Sequence, residues 1–189
     1  MSYQVIQPPF TLNFTEMTKK ELQEYFAWFQ SILEERVSEL SAHVREDSLT
    51  SNWEPDHSPS SVEVLGEWLS RHVSTRPRTQ QEQEQLTAGL SHPIAVPDYD
   101  LTNESFSLGM DIGIYFGLTL MKNHPSLRWD QDLKNKRFAD YGQPIIIGFG
   151  AVPLNPVRIG INFAYGFASK KQASVRVREV YDVWSAKAQ

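Results

Sequence analysis

The sequence predicts an α+β fold: N-terminal helices and a buried central helix packed on a small, mainly antiparallel sheet, closed by a C-terminal helix. Three observations predict it. Apolar residues recur at helical spacing through much of the first hundred positions. A stretch apolar nearly all round lies just past the middle. Period-two, β-branched segments separated by Pro/Asn turns follow it, before helical spacing returns at the end. With 189 residues the chain has the length of one domain. Residues 1–189 are read as a single α+β unit, mostly helical and acidic over 1–100, with the central helix, sheet and last helix over 101–189.

Residues 3–6 read as a short strand that Pro8 and Pro9 end, because proline cannot donate to a sheet ladder. A long helix is predicted over residues 18–46. Thr18 and Glu21 have capping-box spacing, and Met17 and Leu22 have the spacing of a hydrophobic staple. Leu22, Tyr25, Phe26, Phe29, Ile32, Leu33, Val37, Leu40 and Val44 then form one apolar stripe. Residues 47–60 form a polar linker. A second helix is predicted over 61–73, with Ser60 and Glu63 as its cap pair and Val62, Leu65, Trp68, Leu69 and Val73 on one face. Thr79 and Glu82 cap a short polar helix that Gly89 closes, and Pro93 and Pro97 mark a loop.

The central helix is predicted over 103–122. Gly109, Gly113 and Gly117 recur every four residues along it. Each glycine costs about 1 kcal/mol in a helix relative to alanine, so the stripe implies another backbone packed against it. Beyond Pro125 the predicted elements are a strand over 127–130, a charged turn over 131–137 and a buried strand over 144–149. Residues 157–167 read as the hairpin partner of that strand, with Ile159, Ile161, Phe163 and Tyr165 on one side. A final helix over 172–186 carries Val177, Val180, Tyr181 and Trp184.

Eighteen Lys and Arg against 23 Asp and Glu give a net charge of −5. The charge is unevenly placed. Residues 1–100 hold 7 basic and 16 acidic side chains, a net of −9, and residues 101–189 hold 11 and 7, a net of +4. An acidic balance argues against nucleic-acid binding, which relies on neutralising phosphates. The absence of cysteine excludes disulfides, iron–sulfur clusters, thiolate metal sites and a cysteine nucleophile. No basic, apolar leader opens the chain and no window is long enough to span a bilayer, so the expected location is the cytoplasm, with no membrane partner.

No nucleotide-loop, serine-elbow or histidine-ligand motif is present, and neither a cofactor nor a metal site is expected. His43, His57, His72, His92 and His124 lack ligand spacing. Asp111 is the chemically odd position, a carboxylate within an apolar helix that must find a partner or protonate. Its expected partner is an arginine such as Arg128 or Arg158. The alternative is a general base or ligand anchor in a pocket. Arg128 and Trp129, with Tyr141 and Arg158, have the composition of a protein-interface anchor patch.

Four segments carry a resemblance: Ile114, Tyr115, Phe116 and Gly117; Leu127, Arg128 and Trp129; Tyr141 to Phe149; and Leu154 to Arg158. In order and spacing, with Tyr181 and Trp184 at the end, residues 105–185 resemble a group of small uncharacterised bacterial proteins of immunity-protein-like pattern. Leu118 stands where that pattern has an acid, so no role of that acid carries over. The resemblance implies a non-catalytic bacterial protein that binds another protein, as an immunity protein neutralises a toxin. The alternatives are a small-ligand binder or enzyme using Asp111, and a regulatory or structural subunit of a larger assembly.

Overall fold

The computed structural model describes residues 3–88 and 96–188. Among them are six helices and two two-stranded antiparallel sheets, an α+β fold with a C-terminal helix. Helix α1 (Lys19–Val44) starts as its sequence dictates. The Thr18 side chain accepts from the Glu21 backbone, and the Glu21 carboxylate returns to the Thr18 backbone. Met17 and Leu22 are both buried in one cluster with Tyr25 and Tyr141. Helix α2 (Pro59–His72) begins two residues earlier than predicted. Ser58, not Ser60, is its cap, and Pro59 takes the first helical position, where a missing N–H costs nothing. Strand β1 (Thr75–Pro77) and helix α3 (Gln80–Thr87) follow, α3 capped by Thr79 and Glu82 as predicted. The helix-closing Gly89 and the loop residue Pro93 lie outside the described residues.

Strand β2 (Tyr99–Leu101) pairs antiparallel with β1, Arg76 opposite Asp100. Helix α4 (Asn103–Asn123) crosses the interior and is buried on nearly every side. Strands β3 (Arg128–Gln131) and β4 (Pro144–Ile147) pair with Trp129 opposite Ile146. The segment at 3–6 is not a strand. It is tied to α1 by Arg36 and Glu39 and to α4 by Ser107.

The largest departure from the sequence reading is at 157–167. That segment is helix α5 (Pro156–Ala168), capped by the Asn155 side chain on the Arg158 N–H. Its buried positions are Val157, Gly160, Phe163, Ala164 and Phe167, a three-and-four repeat that coexists with the alternation of Ile159, Ile161, Phe163 and Tyr165. Only the bridge between Ile146 and Leu154 remains of the expected hairpin. The helix is what fills the glycine stripe. A Cβ at Gly113 would stand 2.8 Å from Val157 Cα, and one at Gly109 3.1 Å from Ile161 Cα. Helix α6 (Arg176–Ser185) closes over α2, with Ser174 O and Val177 against Gly66. The main core collects Leu40, Trp68, Leu108, Tyr115, Phe163 and Tyr181 from five helices.

Candidate functional site

Asp111 projects from α4 into an ionic knot, with 1% of its surface exposed. The arginine that meets it is neither Arg128 nor Arg158 but Arg36 of α1, itself buried. Arg36 Nε donates to Asp111 Oδ1 at 2.9 Å and Nη2 to Oδ2 at 2.7 Å, the bidentate fork that suits guanidinium to carboxylate. The Tyr3 hydroxyl donates to Oδ2 and accepts from Arg36 Nη2 at 2.9 Å. Ser107 lies 2.8 Å from that hydroxyl, and its Oγ accepts the Ile6 N–H at 2.9 Å.

Burial is the largest influence on the Asp111 carboxyl and pushes its pKa up, against the pull of Arg36 and Tyr3. Burial, and then Asp111, push the Tyr3 hydroxyl far up, so it stays a proton donor. A general base needs a lone pair facing a substrate. The open clefts beside residues 4–7 are lined by Arg36 on one side and Ser107 on the other, and Asp111 lines neither. Chemically, the arrangement fastens the N-terminal segment to α1 and α4.

Tyr115 is fully buried four residues further along α4. Its hydroxyl accepts the His57 N–H at 2.9 Å and lies 2.7 Å from Ser61 Oγ. The His57 ring stacks on it at 5.0 Å. Burial, then Lys122, push the His57 pKa down, so the ring stays neutral near pH 7. The His57 backbone has φ 59°, a region that residues other than glycine and asparagine rarely occupy. The strain is held from both ends, because Asn123 Nδ2 donates to the His57 carbonyl at 2.8 Å.

The anchor-patch residues are not brought together. Arg128 and Trp129 are neighbours on β3 and point to opposite faces, as strand periodicity demands. Arg128 is exposed, while Trp129 turns inward, edge-to-face with Phe29 at 5.2 Å. Tyr141 is buried with Met17, Leu22 and Tyr25, below the Lys136 ammonium. Arg158, on α5, pairs with Asp140 at 2.8 Å and donates to Ala139 O at 2.6 Å. Of the four, Arg128 alone keeps an exposed, uncommitted head group among the described residues.

The sequence reading missed Arg36, Tyr3 and His57. A signal for Arg36 was available, since it falls on the apolar stripe between Phe29 and Leu40, where an unpaired cation cannot sit. Tyr3 and His57 left no such mark. Among the described residues no group of three His, Asp or Glu is placed to hold a metal, and no helix is long and apolar enough to cross a membrane. No family model, curated protein or solved structure matches the chain.

Proposed function

We propose that the chain is a non-catalytic, cytoplasmic protein-binding domain of immunity type, which neutralises a partner protein by covering it. The observation that carries this reading is the segregation of charge. Residues 34–67 hold nine acidic and two basic side chains, and one of the two, Arg36, is consumed inside the molecule by Asp111. The second, Arg45, pairs with Glu54 at the surface. Asp47 and Glu63 are answered from outside the run by Arg71 and Arg178, and the carboxylates left over attract a basic protein partner and raise its rate of encounter. The enzyme alternative loses its motive, because the carboxylate that suggested it is committed to Arg36 and Tyr3.

The test is isolation of the tagged chain from its native host at low salt. A stoichiometric protein partner is expected, with an association rate that falls about tenfold or more when ionic strength rises from about 0.05 to 0.5 M, where exposed charges are screened beyond a few ångströms. A chain recovered bare, or a partner whose association rate ignores salt, overturns the reading.

A further inference from the structure

A groove opens between α1 and α4. Its floor is Val37, Leu118 and Met121, with Glu34 on the α1 wall, Lys122 on the α4 wall and His57 at one end. Its volume is about 460 Å³, within the range of sites that bury a small ligand or a few side chains, roughly 300–1,000 Å³. The three floor residues are each partly exposed, so the groove leaves apolar surface in water.

We infer that this groove receives a basic segment of the partner protein, one that seats an apolar side chain flanked by lysine or arginine. The inference rests on the protein-binding reading and names where and what the chain binds. Shape comes first. The end wall is preformed, because the His57 N–H, carbonyl and ring are all held, by Tyr115 and Asn123. A wall already ordered adds little entropy cost on binding.

Charge selects the occupant. Glu34 has no ion-pair partner among the described residues, and it begins the acidic run 34–67. Asp56, the chain neighbour of His57, lines a second cleft of about 510 Å³ together with Leu49, a leucine 76% exposed, while Glu54 of that cleft is taken by Arg45. Glu34 and Asp56 set acidic groups beside the apolar surface of Val37 and of Leu49, which suits a segment that is both apolar and cationic. Among the described residues that line the groove, Lys122 is the one lysine or arginine, and it opposes such a segment. That makes Lys122 the diagnostic position.

The test uses the full chain, isotope-labelled, titrated with two synthetic peptides that share one leucine, flanked by lysines in one and glutamates in the other. The lysine peptide is expected to shift the amides of Val37, His57, Leu118 and Met121, and to bind at least about tenfold more tightly than the glutamate peptide. Lys122→Glu, an exposed change, is expected to strengthen lysine-peptide binding by about threefold or more, since it turns repulsion into attraction. Leu118→Ser, with its fold checked by circular dichroism, is expected to weaken binding about tenfold, in line with loss of one apolar contact surface. Equal or tighter binding of the glutamate peptide, weakening by Lys122→Glu, or shifts confined to other surfaces would each overturn the inference. A host partner whose affinity ignores both variants overturns the groove and leaves the protein-binding reading standing. A chain that keeps no host partner yet seats the lysine peptide in the groove sustains the groove and removes the wider reading.

Discussion

Asp111 and Arg36 meet across 75 positions of sequence, and the bond between them explains both. A carboxylate and a guanidinium removed from water each lose several kcal/mol of hydration, which only good geometry and filled hydrogen bonds return. Here the fork is bidentate and Tyr3 gives Oδ2 a second donor. Asp111→Ala leaves Arg36 buried without its counter-charge and is expected to cost about 3–5 kcal/mol in urea unfolding followed by circular dichroism. The double change Arg36→Met with Asp111→Leu removes both charges and is expected to recover most of that loss. A double variant no more stable than Asp111→Ala alone would show that the knot does more than satisfy its own members. That Asp111 needed a partner was legible in the sequence. Which arginine supplied it was not, because that depends on where α1 crosses α4, and a single sequence carries no record of that crossing.

At the scale of elements, a helix was legible wherever its apolar stripe stood clear of any other period. The bounds of α1 and α4 agree with their stripes and caps to within a residue or two. Helix α5 was not legible by period alone, since its bulky residues satisfy both two and three-to-four. Asn155 followed by Pro156 is a cap and first-turn pair, and that local chemistry decides the question in favour of a helix. The α4–α5 contact is also where substitution reads out most sharply. Alanine for glycine gains about 1 kcal/mol of helix propensity. At Gly113 the added methyl meets the Pro156 carbonyl and Val157 Cα, backbone that cannot turn aside, and a net loss of about 2–3 kcal/mol or more is expected. At Gly117 it meets the end of the Ile146 side chain at 2.9 Å and the Pro156 ring, and a smaller loss is expected. Thermal unfolding of the two variants side by side checks the order. Helix α3 buries no residue and hangs instead on Glu82. Arg76, and then the Thr79 N–H, hold that carboxyl at about 2, against an ordinary 4.5. A depressed carboxyl stabilises the fold fully above its unfolded value and loses that support as pH falls through the folded one. Amide exchange in α3 is therefore expected to quicken as pH drops from about 5 to about 2, after correction for intrinsic rates, and Glu82→Gln should remove that dependence.

Across the whole molecule α1 acts as the beam. Its first turns enter the cluster of Met17, Leu22, Tyr25 and Tyr141, its middle packs Phe29 on Ile114 and Val157, and its last turns bring Leu40 and Val44 into the main core. The strands are too short to form a layer and sit beside this helical assembly, which is why the fold is helix-rich although its sequence advertises a sheet. The cluster at the start of α1 is nonetheless a satellite. It joins the loop between β3 and β4 through Gln131, whose amide donates to the Leu22 carbonyl at 2.7 Å and to the Gly142 carbonyl at 2.8 Å. Gly142, at φ +72°, rests directly on the Leu22 side chain. Local opening follows such boundaries, because a unit with its own small cluster can separate without breaking the main core. Leu22→Ala removes the side chain on which Gly142 rests, and truncation of a buried leucine costs about 2–5 kcal/mol. If the satellite is a separate unit, hydrogen exchange will quicken first in the opening turns of α1 and in the loop over 131–143, more than a hundred positions away. The amides of α4 and α6 will lose protection only as far as global stability falls. Equal loss of protection in α4 and in the loop would instead mean that the beam transmits every perturbation along its length, and that all three clusters open as one.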